Sequence, residues 1–184
     1  APPMKILEHA EEIRRRLLMA MEQAEQTPDP EARQFLQTVV IVGAGPSGCE
    51  MAGAVSELMR WAMENAFKQL DPEKTRIVMV DPGDRVLRAM PEKLSEAAMQ
   101  SLQKDGVEFL AKGRVQTMRP GEVTVGTPDG DVRIQAATVI WTAGVRPSHL
   151  GSKLAEATGC ALDKAGRVVV QHDFSIPEHP EIRV

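Results

Sequence analysis

Apolar positions fall along this chain in two rhythms. From Met4 to about Glu25, residues Ile6, Ile13, Leu17 and Met21, with Ala10 and Ala20, recur near one helical stripe while Arg14, Arg15 and Arg16 face water; the pattern predicts an amphipathic helix. Thr27-Pro28-Asp29-Pro30 breaks it, and Asp29 can N-cap a short second helix from Pro30 through Leu36. Thr38–Val42 is an apolar, β-branched run of the kind found in a buried parallel strand. A glycine-rich turn then opens a long helix from about Ser47 to Leu70. Arg76–Val80 reads as the next strand, stopped by Asp81-Pro82-Gly83-Asp84. Pro91 to Asp105 is a helix ended by Gly106, and Val107–Leu110 a third buried strand.

Beyond that point the rhythm shortens. Segments around Val115–Met118, Val123–Val125 and Val132–Gln135 are separated by Pro120-Gly121 and Pro128-Asp129-Gly130, turn signals that predict an antiparallel meander. Thr138–Trp141 is a fourth apolar strand ended by Ala143-Gly144. Lys153–Thr158 is a short helix closed by Gly159, and Val168–Val170 and Arg183-Val184 are late strands. The order β-α-β-α-β, then meander, then returning strand, predicts an α/β fold: a Rossmann-like, doubly wound parallel sheet with an antiparallel β-meander. Right-handed crossovers would put helices on both faces of the sheet. The closing run Glu181-Ile182-Arg183-Val184 looks like half a strand, so the chain reads as a segment of a longer protein.

Composition narrows the function. The 184 residues suffice for one domain, and the net charge of −4 leaves no electrostatic footprint for nucleic acid or an anionic membrane. Aromatic residues are 3% of the chain with no Tyr, which argues against a base-stacking surface. Cys49 and Cys160 form no CxxC and, with His9, His149, His172 and His179, no metal spacing; a reduced, cytoplasmic setting is the simplest reading. No apolar run approaches the ~18 residues of a membrane span.

The chemistry concentrates at Gly43-Ala44-Gly45-Pro46-Ser47-Gly48, a GxGxxG that follows a strand and opens a helix. Gly43 permits the tight turn, Gly45 lets backbone approach a pyrophosphate, and Gly48 lets helix and strand pack closely. The phosphates would sit at the helix N-terminus, where free N–H groups and the dipole favour anions, and Pro46 costs little in the first turn. The alternative is a plain strand-to-helix turn. Asp81, ending the second strand, can accept both adenine-ribose hydroxyls of NAD(H) and would repel a 2′-phosphate, although Arg85 and Arg88 lie near enough to offset this. Asp81 also suits an Asx residue opening the Pro82-Gly83 turn. It lies 33 residues after Gly48, where the simple fingerprint expects about 20, and the extra length is an insertion between Leu58 and Thr75. Glu50 stands close to the phosphates for a like charge, and a place beside the nicotinamide suits it better. Cys49 is at a helix N-terminus, where a thiolate gains support, but it has no resolving partner and reads as a packed side chain.

These residues resemble a family. Gly43 to Gly53 is similar to the GxGPTGxExAG signature of the type II NADH dehydrogenases, FAD-containing NADH:quinone oxidoreductases of the pyridine nucleotide-disulfide reductase superfamily. Leu70-Asp71-Pro72, Arg85-Val86-Leu87, Pro91 to Ser95, Thr138 to Arg146, Ser175-Ile176-Pro177 and His179-Pro180-Glu181 extend the resemblance over nearly the whole chain. It implies that Gly43, Gly45, Pro46, Ser47 and Gly48 hold the NADH pyrophosphate and Asp81 the adenine ribose, where the family usually has Glu. Glu50 would lie near nicotinamide and flavin, and Ala143 and Gly144 would line the nicotinamide side. Residues 1–36 would be a helical segment linking to an FAD domain, and 37–184 the NADH-binding domain. The flavin glycine motif is absent here, so the resemblance implies that FAD binds elsewhere in a full-length protein that delivers electrons to quinone, as a homodimer or a monomer, peripherally on the cytoplasmic face of the membrane. By the same token, the segment alone binds NADH without turning over. Two other readings stand beside it: the equivalent domain of a ferredoxin or disulfide reductase, and a non-enzymatic NADH-sensing module, which would need an output element.

Overall fold

A computed structural model of the chain describes residue 4, residues 6–144 and residues 147–184; Val145 and Arg146, part of the resemblance above, lie outside the described residues. Two compact units result, the first running to Ala143 and the second beginning at Gly144.

The first unit is built on a four-stranded parallel sheet in the order β3-β2-β1-β7, from Val107–Leu110, Arg76–Val80, Thr38–Val42 and Thr138–Trp141. Alternation along each strand divides its side chains between two cores. Val39, Ile41, Ile77, Met79, Val107 and Ile140 face α1 (Leu7–Gln26), α3 (Pro46–Asn65) and α4 (Glu92–Lys104). The helices answer with their own period: Ile13, Leu17, Met21 and Ala24 on α1, and Ala52, Val55, Met59, Ala62 and Met63 on α3. Val40, Val42, Val78 and Val80 face the other way, against Val123, Val125 and Ile134 of the meander. That meander is β4 (Arg114–Arg119), β5 (Glu122–Thr127) and β6 (Gly130–Gln135), paired antiparallel. The fold class expected from the pattern is therefore present. The covering of the second face differs: it is the meander sheet, which closes that core without helices.

Asp29 caps α2 (Pro30–Leu36) through Ala32 N at 3.1 Å, as the Asp-Pro pair predicts. The long helix α3 ends at Asn65, earlier than Leu70. The cause is tertiary: the carboxylate of Glu25 on α1 accepts the backbone N–H groups of Lys68 (2.9 Å) and Gln69 (3.0 Å), Leu70 is buried, and Asp71 caps a 3₁₀ turn at Pro72–Lys74. Strand β3 forms where expected but buries only Val107, because it is the sheet edge; its exposed Glu108 instead pairs with Arg76 at 3.0 Å.

In the second unit, α5 spans Leu150–Thr158, beginning earlier than expected and closing on Gly159. The strand expected at Val168–Val170 is a single bridge between Leu162 and Val168. The late strand at Arg183-Val184 is instead β9 (His179–Arg183), which turns back through Glu178, at φ +69°, to pair antiparallel with β8 (Ser175–Ile176).

Candidate functional site

Strands β1, β2 and β7 end side by side, and the segments leaving them build one constellation. Gly43 leaves β1 at φ +107°, a conformation that L side chains rarely adopt, and donates its N–H to Val80 O at 2.8 Å. A Cβ there would lie 2.9 Å from the nitrogen and Cβ of Ala143 and from Thr142 Oγ1. A Cβ on Gly48 would fall 1.9 Å from Gly43 O. Both glycines are thus demanded by the protein's own packing, as turn and helix–strand contact respectively.

Gly45 is different. It caps α3 with φ −76° and ψ −176°, extended backbone open to any residue, and a Cβ would find nothing within 4 Å. Nothing inside the chain asks for glycine here; the open space lies over the start of a 20-residue helix. Pro46 takes the first helical position without an N–H to lose, and the intrahelical ladder begins at Cys49 N–H to Gly45 O, 3.0 Å. The N–H groups ahead of it, including that of exposed Ser47, have no intrahelical acceptor and the dipole's positive end behind them.

Asp81, at the end of β2, reaches across to this loop. Its Oδ2 accepts Ala44 N–H at 2.9 Å and its Oδ1 accepts Gly83 N–H at 2.7 Å, so the Asx turn and the link to the glycine loop coexist. The loop after Asp81 returns to the same place: Leu87, at φ +49°, donates its N–H to Ala44 O at 2.8 Å. Between them lies a hollow of about 190 Å³, with Ala44, Gly45 and Asp81 on one side and Leu87, Arg88 and Met90 on the other. A carboxylate, a helix N-terminus and a partly apolar hollow in this sequence are what a ribose, a pyrophosphate and a flat base require.

The model of the pyridine nucleotide-disulphide oxidoreductases matches residues 3–182. The chain belongs to this family. It is 44% identical over its whole length to the type II NADH:quinone oxidoreductase Ndh of Mycobacterium tuberculosis, and 38% identical to NdhA of the same organism, spanning 40% of each. Among solved structures it is similar to NDH2 of Plasmodium falciparum in complex with NADH, with a TM-score of 0.75 and 16% identity over 90% of this chain and 34% of that one. A second structure of that protein, in complex with RYL-552, gives a TM-score of 0.79 at 17% identity, over 96% of this chain and 36% of that one. At such identities the structural likeness speaks for the fold alone. The chain thus spans about two fifths of the curated relatives it matches.

The remaining residues of this family member divide. Ala143 lies against Gly43, while Gly144 opens the second unit. Glu50 is exposed on the second turn of α3. Cys49 is half-buried, its Sγ 3.7 Å from Ala44 O; burial, then the carboxylates of Asp81 and Glu50, push its thiol above the ordinary range, so the packed-thiol reading holds against thiolate stabilisation by the helix end. Thr142 is the residue that sequence reasoning passed over: its Oγ1 lies 2.8 Å from Val42 O and 3.1 Å from Gly43 O, fastening β7 to the glycine turn. A hydroxyl directly after an apolar strand was the available signal. Among the described residues there is no His, Cys, Asp and Glu grouping suited to a metal, and no helix long and apolar enough to cross a membrane.

Proposed function

We propose that this chain is the NADH-binding part of an FAD-dependent NADH:quinone oxidoreductase, and that it positions the nicotinamide for hydride transfer to the flavin. The observation that carries the reading is Gly45: its missing side chain leaves open the approach to a helix N-terminus, with Asp81 fixed at the neighbouring strand end. The loop of Gly43, Gly45, Pro46, Ser47 and Gly48 holds the pyrophosphate, through the helix dipole and the N–H groups of Gly45, Ser47 and Gly48, while Gly43 makes the turn and Pro46 presents no N–H; Asp81 accepts the ribose hydroxyls through its remaining lone pairs. Glu50, Ala143 and Gly144 belong to the nicotinamide end. Residues 1–36 form the link toward an FAD domain, with 37–184 the nucleotide domain. Bound flavin, held by the rest of the protein, supplies the electron acceptor, and quinone receives the electrons. The full-length protein acts on the cytoplasmic face of the membrane as a peripheral protein, and its association as a homodimer is compatible with this. Support comes from the relatives' printed activity, type II NADH:quinone oxidoreductase, and from the NADH described in the Plasmodium falciparum structure.

Calorimetric titration with NADH tests the binding half. Quinone reduction by the full-length, FAD-loaded protein tests the other. Absence of NADH binding by the folded chain rejects the proposal.

A further inference from the structure

The adenosine end of the site carries two arginines, and the structure gives them different work. The guanidinium of Arg85 donates from its two terminal nitrogens to the carbonyls of Met90 and Arg88, both at 3.2 Å. It ties the loop to itself, and although Arg85 lines the same hollow, turning to a ligand would break both bonds. The Arg88 side chain makes no hydrogen bond or ion pair among the described residues and is exposed. Leu87, in its left-handed conformation, turns the chain so that the Arg88 side chain lies back over Gly83: a Cβ on Gly83 would come within 2.6 Å of Arg88 Cδ and 2.7 Å of Arg88 Nε, and 2.9 Å of Asp81 Oδ1. One glycine thus seats a carboxylate and an uncommitted guanidinium on the same hollow, which Arg88 and Asp81 both line.

We infer that Arg88 is a specificity-determining residue that lets this site accept a 2′-phosphate on the adenine ribose, making NADPH a second ligand beside NADH. The inference rests on the dinucleotide reading above and deepens it. Asp81, acceptor-only, favours a ribose carrying two hydroxyl donors and repels a phosphate. A guanidinium offers the opposite: a planar fork of donors, permanently charged, matched to phosphate oxygens. Because no carboxylate holds Arg88, no existing ion pair has to be broken for it to turn to the phosphate. Both ribose chemistries therefore find a partner within one hollow, and the charge on Asp81 is offset where a phosphate would meet it.

The test compares wild type with Arg88→Gln, which removes charge while keeping a polar, similarly long side chain, and with Arg88→Lys, which keeps charge without the fork. Affinities for NADH, NADPH, and the fragments 5′-ADP and 2′,5′-ADP are measured by calorimetry at low and high salt. Arg88→Gln is expected to lower the NADPH-to-NADH affinity ratio at least tenfold, with the same change in the 2′,5′-ADP-to-5′-ADP ratio, and Arg88→Lys to lie between. The wild-type affinity for the phosphorylated fragment, relative to 5′-ADP, is expected to fall with salt. An unchanged ratio in Arg88→Gln, or equal loss of all four ligands, overturns the role of Arg88. If wild type binds neither dinucleotide, the dinucleotide reading itself fails. NADH binding with no measurable NADPH binding in wild type leaves that reading standing and refutes this one.

Discussion

Gly45 and Gly48 sit three residues apart, at the cap and in the first turn of α3, yet the structure assigns them opposite responses to a side chain. A methyl on Gly48 lands 1.9 Å from Gly43 O and 2.9 Å from Thr142 Oγ1. The first obstacle is backbone, which cannot swing aside, so α3 must lift off β1. Overpacking of this kind costs about 1–3 kcal/mol or more, which for a chain of this size lowers the melting temperature by roughly 2–4 °C per kcal/mol. Gly45→Ser meets no atom within 4 Å, and serine at an N-cap improves on glycine by a few tenths of a kcal/mol, roughly. Its stability should equal or slightly exceed wild type. Its hydroxyl would, however, occupy the first-turn N–H groups and the path of the pyrophosphate. Losing one charge-assisted hydrogen bond is worth about 1.5–3 kcal/mol, or ten- to a hundredfold in NADH affinity. Thermal unfolding followed by calorimetric titration separates the two effects. If Gly45→Ser melts early, or binds NADH as wild type does, the distinction between a glycine required by the fold and one required by a ligand is wrong.

Three further outcomes follow. Asp81→Ser should weaken NADH and narrow or reverse the preference over NADPH, while exposing the N–H groups of Ala44 and Gly83 to water; titration of both cofactors into both proteins measures it, and full retention of NADH preference would reduce Asp81 to a turn residue. Cys49, its thiol raised first by burial and then by Asp81 and Glu50, should react with iodoacetamide slowly at neutral pH, the rate climbing only as pH passes above the ordinary thiol range; rapid neutral-pH labelling at this position, read by mass spectrometry, contradicts that. The purified chain should be colourless and free of flavin, since the proposed function assigns its single GxGxxG to the nicotinamide cofactor; stoichiometric flavin absorbance would overturn that assignment.

What the sequence disclosed depended on how far apart the deciding residues stand. Strand β1 matches the expected Thr38–Val42 residue for residue, because an apolar β-branched run bounded by a glycine turn carries its own start and stop. The meander was equally readable, from its Pro-Gly and Asp-Gly punctuation. The end of α3 was not, because Glu25, 43 residues before Lys68, draws that residue's N–H out of the helical ladder. Nor was the packing of the second sheet face: alternating valines announce that a face is buried, not what buries it. The hairpin β8–β9 escaped notice because its first strand is two residues long and its turn rests on a left-handed Glu178, a position where glycine or asparagine would have given the signal.

The site follows the same rule. Glycines and an acid at strand ends are local features and could be named in advance. The clamp by Thr142 spans about a hundred residues of sequence, and the return of Leu87 to Ala44 needs a backbone conformation that leucine does not advertise. Asp81 shows why two readings of one residue need not compete. Its carboxylate is held from both sides by Ala44 and Gly83 N–H groups, which fixes its direction before any ligand arrives. Each oxygen retains a lone pair, so the turn consumes the side chain's freedom without consuming its capacity to accept. Ordering a carboxylate at the moment of binding would cost side-chain entropy; here folding has already ordered it. The turn role of Asp81 is thus the physical basis for the binding role proposed for it. Asp81→Glu, which carries the carboxylate one methylene away from both N–H groups, should weaken NADH by undoing this ordering, even though glutamate is the residue more usual in the family it resembles.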